Sequence, residues 1–122
     1  MVSVLFDSSF LMAIVEHPTT WFEDITEMVG NVKPVTLDCV VEELKRISSR
    51  QGKRSKFASL AIEFAGDFAV EPSGSGKVDD EIVSYAISKN SAVATVDNEL
   101  IRTLKARRVK VVGLRNGRVA LF

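Results

Sequence analysis

Short apolar runs alternate along the chain with longer stretches of helical period. Val2-Ser3-Val4-Leu5-Phe6 is a continuous, partly β-branched run that ends on Asp7, the pattern of a central parallel strand covered on both faces. Ser9 to Val15 reads as a short buried helix stopped before Pro18. Thr20-Trp21-Phe22-Glu23 has capping-box spacing and opens a helix to Val29, ended by Gly30. Val32 to Leu37 predicts a second strand, and Asp38 is a suitable N-cap for a helix from Cys39 to about Ser48. Residues 48–56 are a basic connector containing Gly52. Phe57, Leu60, Ala61, Phe64 and Phe68 then recur at helical spacing, which predicts a stripe packed in the core rather than a stacking platform for bases.

Ala69 to Glu71 predicts a short strand, Pro72 to Lys77 a loop, and Asp79 to Ser88 a helix. Its opening acids, Asp79 and Asp80, suit the positive end of the helix dipole. Ala92 to Val96 is a further strand, Asn98 to about Arg107 a basic-faced helix, and Val109 to Leu114 the last parallel strand. Asn116-Gly117 marks a tight hairpin, so Val119 to Phe122 adds an antiparallel edge. Strands alternating with helices imply an α/β fold: a three-layer, doubly wound, mostly parallel sheet with right-handed crossovers. A chain of 122 residues is expected to form a single domain over 1–122.

Formal net charge is zero, so no global field recruits nucleic acid, but the distribution is uneven. Residues 1–43 carry eight acids against Lys33 alone, and residues 98–122 carry seven bases against Glu99. Such asymmetry points either to a polyanion for the basic end or to solvated helix faces that fold against the acidic half. Cys39 is single, which excludes a disulfide framework or zinc cluster and makes it a small hydrophobe. The apolar start lacks a basic leader and no run is long enough to span a bilayer; the expectation is a cytoplasmic protein without a membrane partner.

Helical angles separate the acids. Val40, Val41, Leu44 and Ile47 define one face of their helix; Glu42 falls opposite it and Glu43 on its border. Ile82, Val83, Ala86 and Ile87 define another; Asp79 lies on that face, Asp80 on its edge and Glu81 toward solvent. Four carboxylates therefore have reason to face inward: Asp7, Glu43, Asp79 and Asp97. Each alone is better explained by capping or pairing, because buried acids are usually paired or hydrogen-bonded. Together they would repel unless a cation or shared protons compensate. A hard divalent cation with oxygen ligands, Mg²⁺ or Mn²⁺, fits this inventory, while His17 reads as a surface residue.

At Val4-Leu5-Phe6-Asp7-Ser8-Ser9, Val41-Glu42-Glu43-Leu44, Val78-Asp79-Asp80-Glu81-Ile82 and Ala94-Thr95-Val96-Asp97-Asn98-Glu99-Leu100 the chain resembles the PIN domain family. The resemblance covers essentially the whole length with four acids in order, and the Thr95-Val96-Asp97 form is most like archaeal stand-alone members near the rRNA-processing nucleases. It implies a metal-dependent endoribonuclease, commonly a homodimer, with a catalytic set of Asp7, Glu43, Asp79 and Asp97. Ser9 matches the family's supporting hydroxyl, and Thr95 is placed beside it. Asp7, Asp79 and Asp97 would hold one or two Mg²⁺ or Mn²⁺, with Glu43 directly or through water and Asp80 as an outer ligand. Lys53, Arg54, Lys56, Arg102 and Lys105 are candidates to hold an RNA backbone. Arg107-Arg108-Val109 departs from relatives that have a Gly-containing turn there. The expected role is rRNA processing or toxin-like cleavage, with an antitoxin or ribosome-assembly factor as possible partner; a non-catalytic RNA-binding protein that retains the pocket is the alternative. Two other phosphoryl-transfer classes fit poorly: Ser9 stands where a haloacid-dehalogenase pattern has its second Asp, and a receiver domain's acidic pair and late Lys are missing.

Overall fold

The computed structural model describes residues 1–18 and 20–122. Among these the elements run β1 (Val2–Phe6), α1 (Ser8–Glu16), α2 (Trp21–Val29), β2 (Val32–Leu37), α3 (Asp38–Ser48), α4 (Lys53–Phe64), β3 (Ala69–Glu71), α5 (Val78–Ser88), β4 (Ala92–Ala94), α6 (Asn98–Ala106), β5 (Val111–Arg115) and β6 (Arg118–Leu121). The strands form one sheet in the order β3-β2-β1-β4-β5-β6. Every pairing is parallel except β5 with β6. That last pair is a hairpin whose turn places Asn116 (φ 53°) and Gly117 (φ 77°) in the left-handed region, where Asn and Gly carry little steric cost.

The chain winds outward from β1 to β2 and β3, then returns to β4 on the other side of β1. Right-handed crossovers in opposite directions put α1–α4 on one face of the sheet and α5 and α6 on the other. Accordingly α1, α3 and α4 pack on one another, and α5 and α6 pack on each other and on β4 and β5. β1, at the centre, buries Val4, Leu5 and Phe6 completely. Phe6 is the hub of an aromatic cluster, with ring centroids 5.6 Å from Phe10, 5.3 Å from Trp21 and 5.0 Å from Phe68. Deleting such a ring from a closed core typically costs ~3–5 kcal/mol. Among the described residues no helix is long and apolar enough to cross a membrane.

Several local expectations are corrected. Thr20 makes no capping bond; its hydroxyl donates to the Asp24 carboxylate instead. Asp38 is the first residue of α3 rather than its cap, and its carboxylate accepts from the Ser73 amide and hydroxyl, tying α3 to the loop before α5. The basic connector is shorter than expected because α4 begins at Lys53. The Phe stripe is only partly core: α4 buries Ala58 and Ala61, while Leu60 and Phe64 stay exposed. Small residues are selected there because α4 lies close against both α1 and α3. Ile87 is likewise exposed, and Glu81 turns back to accept from the Gly74 amide rather than pointing to solvent.

Candidate active site

The winding reverses between β1 and β4, and at such a switch point the loops leaving the carboxyl ends of the strands diverge to open a crevice. Register brings the two strand-end acids to it. Phe6 is level with Ala94, and the Asp7 amide donates to the Ala94 carbonyl at 2.9 Å. The crevice is a cleft of about 540 Å³, lined by all four candidate acids, Asp7, Glu43, Asp79 and Asp97. Each comes from a different connection: β1 to α1, α3, the start of α5, and β4 to α6.

Asp7 is the buried member, 5% exposed. Its Oδ2 accepts from the Ser9 hydroxyl at 2.7 Å and from the Thr95 hydroxyl at 2.9 Å. Each hydroxyl has one proton, so the 3.1 Å separation of Ser9 Oγ and Thr95 Oγ1 reflects their convergence on one oxygen rather than a bond between them. The same hydroxyl oxygens accept from the Val96 and Asp97 amides, both at 3.1 Å. Ser9 and Thr95 thus couple the position of Asp7 to the backbone that carries Asp97. Asp97 in turn caps α6, its Oδ1 accepting from the Glu99 and Leu100 amides at 2.9 and 3.1 Å. Glu43 is half-buried and held by the Ser8 hydroxyl at 2.5 Å. Asp79 is exposed rather than on the buried face of α5, because the first turn of the helix overhangs the cleft.

Burial raises the Asp7 carboxyl above the usual carboxylate range, against its hydrogen bonds, and the Glu43 charge adds to the rise. Asp79 is raised first by desolvation and then by the charges of Asp7, Asp97, Glu43 and Glu99. Among the described residues none of these four acids forms an ion pair; the pairs found are His17 with Glu16 and Lys45 with Glu42. A buried acid that lacks a counter-charge, among three more acids and no His or Cys, is an all-oxygen donor set suited to a hard divalent cation. Among the described residues no three such groups stand close enough to enclose an ion as they are placed. The side chains would have to draw in, with water completing the shell, as Mg²⁺ commonly requires.

The other candidates divide. Lys53 and Arg54 line the cleft with the acids, because α4 starts earlier than its sequence indicated. Lys56, Arg102 and Lys105 are exposed but outside the cleft lining. Asp80 is not at the site; it lines a separate surface cavity between α5 and α6, with Thr103 and Arg107, since one residue turns a helix by about 100°. Thr95 is fully buried beneath the cleft floor. Sequence reasoning missed Ser8, Met12, Glu16 and Phe57, which also line the cleft. Met12 and Glu16 were detectable, lying three and seven residues after Ser9 on one face of α1; Ser8 and Phe57 gave no local signal.

A mostly parallel doubly wound sheet with an acidic cleft at its switch point is the class this fold and site define. The family model for a PIN-like domain matches residues 4–117, and the chain belongs to that family, whose members are in general metal-dependent nucleases. Its structure is similar to that of the PIN domain endonuclease Utp24 (TM-score 0.77, 23% identity, covering 98% of this chain and 90% of that one). It also resembles VapBC2 from Rickettsia felis, solved bound to a DNA fragment from its promoter (TM-score 0.70, 16% identity, 93% and 100% covered). A third likeness is to PAE2754 from Pyrobaculum aerophilum (TM-score 0.53, 17% identity, 87% and 88% covered). At these identities the likeness is one of fold. None of the curated proteins matches the sequence.

Proposed function

We propose that this protein is an endoribonuclease dependent on Mg²⁺ or Mn²⁺, hydrolysing RNA phosphodiester bonds in the acidic cleft. The observation that carries the reading is the arrival of four carboxylates from four connections in one cleft that also holds Lys53 and Arg54. Asp7, Glu43, Asp79 and Asp97 would hold the cation. When bound it supplies an activated water and neutralises charge developing on phosphorus and the leaving oxygen. The chain's own contribution is positional. Ser9 and Thr95 hold Asp7, Ser8 holds Glu43, and the capping bonds hold Asp97. Lys53 and Arg54 line the same cleft and would receive backbone phosphates with little base preference.

The role is rRNA processing or toxin-like cleavage, in the cytoplasm, with a homodimer as the working form and an antitoxin or ribosome-assembly factor as partner. The loose spacing of the acids favours one alternative, a non-catalytic RNA-binding protein that keeps the cleft as structure. Incubating a generic single-stranded RNA with the protein in EDTA and in Mn²⁺ separates the two. Cleavage that needs Mn²⁺ and is lost in Asp7→Asn supports the nuclease; binding without cleavage in either condition supports the alternative.

A further inference from the structure

The opposite, amino-terminal edge of the parallel strands carries a second cleft, of about 440 Å³. Arg107, Arg108, Lys110, Asn90 and Ser91 line it, where β1, β4 and β5 begin, and no carboxylate does so among the described residues. None of the three bases has an ion-pair partner among those residues. Two residues of the lining, Asn90 (φ 52°) and Arg108 (φ 60°), lie in the left-handed backbone region. Asn tolerates that conformation; Arg does not do so readily. Arg108 follows the end of α6, where the Arg107 and Val109 amides bond back to the Leu104 carbonyl at 3.1 and 2.9 Å. A helix closed in this way ordinarily places Gly at the left-handed position. Cations at a helix carboxyl end do favour its dipole, but Arg107 and Lys105 already serve that purpose without strain. Keeping an arginine in a conformation that glycine would adopt freely is the kind of local cost that accompanies function.

α6 joins the two clefts. Asp97, in the acidic cleft, is its N-cap, and Arg107, in the basic one, is its C-cap. Nine residues at 1.5 Å rise span roughly 14 Å. Arg102 and Lys105 are exposed along that length, one turn apart on adjoining faces. The four acids of the acidic cleft repel phosphate unless a cation is bound, and Lys53 and Arg54 are the only bases that line it among the described residues, so further bases outside the cleft would add to the affinity for a nucleic acid strand.

We propose that the basic cleft, reached along α6, binds the phosphodiester backbone of the RNA strand whose reacting bond lies in the acidic cleft. The inference rests on the nuclease reading for the identity of the strand, but its binding test does not need cleavage. Fluorescence anisotropy with a labelled oligouridylate in EDTA is compared for the wild type, Arg108→Gly, the double variant Arg107→Gln/Lys110→Gln, and Lys45→Gln as a charge-loss control on α3. Arg108→Gly is expected to melt at least as high as the wild type and still bind RNA severalfold more weakly. The slope of log K against log salt should fall by about 0.7 for each phosphate that is no longer neutralised. Lys45→Gln should bind as the wild type does. Equal binding by all four proteins, or equal weakening in Lys45→Gln, overturns the proposal. So does polyglutamate competing as well as oligouridylate, which would assign the cleft to an acidic protein. If the wild type fails to cleave RNA in Mn²⁺ while the binding differences hold, the nuclease reading falls and the basic cleft stands.

Discussion

Thr95 donates its hydroxyl to Oδ2 of Asp7 at 2.9 Å, across the junction of β1 and β4. The bond is fully buried on the Thr95 side, and the same hydroxyl oxygen accepts the Asp97 amide at 3.1 Å. One side chain therefore fixes two of the four acids. Replacement by valine keeps the shape and removes both bonds, leaving the Asp97 amide and the buried Asp7 carboxylate with one partner fewer. Thr95→Val should cost about 1–3 kcal/mol of stability and push the Asp7 carboxyl higher still. The acidic limb of the pH–rate profile then moves to higher pH. Chemical denaturation and rate measurements across pH check this; an unmoved limb would show that Thr95 supports the fold and not Asp7.

Asp97 has two tasks that different substitutions separate. Asp97→Asn keeps a side-chain oxygen for the Glu99 and Leu100 amides, so the protein should stay folded while Mn²⁺-dependent cleavage is abolished. Asp97→Ala loses the cap as well, at a further ~1 kcal/mol. Thermal melts beside cleavage assays decide; full activity in the Asn variant, with contaminating nuclease excluded, removes Asp97 from the site.

The raised carboxyls of Asp7 and Asp79 set a sign for the pH dependence of stability without metal. Each binds its proton more tightly folded than unfolded, so its contribution is complete below the unfolded value of about 3.9 and is lost as pH rises through the folded value. In EDTA the difference between the wild type and Asp7→Asn should shift toward the variant as pH rises from mildly acidic to neutral. Adding Mn²⁺ at neutral pH should restore the wild type, by ~2.7 kcal/mol at a hundredfold excess over Kd. The opposite slope, or no response to Mn²⁺ in the wild type, would mean that the acids are scaffolding.

Gly113 leaves room for a ring. A methyl group there would lie 2.8 Å from Phe122 Cε1 and 3.3 Å from the Thr95 carbonyl oxygen, and the same ring carries Arg115 4.9 Å above its centre. Gly113→Ala should displace Phe122 and forfeit that stacking, worth ~0.5–1 kcal/mol at a surface site. In a Phe122→Ala background the cost of Gly113→Ala should shrink. A double-mutant cycle with no coupling would contradict the packing.

The proposed homodimer can be tested on an apolar groove of about 540 Å³ between α1, α2 and α4. Trp21 forms its floor and the exposed Leu60 and Phe64 its rim. Light scattering at tens of micromolar, on the order where weak interfaces are populated, should report a dimer that Leu60→Glu dissociates. A monomeric wild type would count against the assembly.

Period and punctuation along the chain were enough to place every strand and every helix but α4 to within a residue or two, since alternating strand and helix leaves little choice of topology; α4 starts four residues before the expected Phe57. The order of Asp7, Glu43, Asp79 and Asp97 was also legible, as was the departure at Arg107-Arg108-Val109. Helical angle, however, orients a side chain only relative to its own axis. It could not show that α5 overhangs the cleft and exposes Asp79, that Asp80 turns away toward α6, or that α4 packs so closely on α1 and α3 that Ala58 and Ala61 face inward while Leu60 and Phe64 do not. The pairing of Phe6 with Ala94, which puts Thr95 and Ser9 on one oxygen of Asp7, joins residues more than eighty positions apart. Only closure of the sheet decides such contacts, because local propensity carries no information about which distant strand a segment will meet.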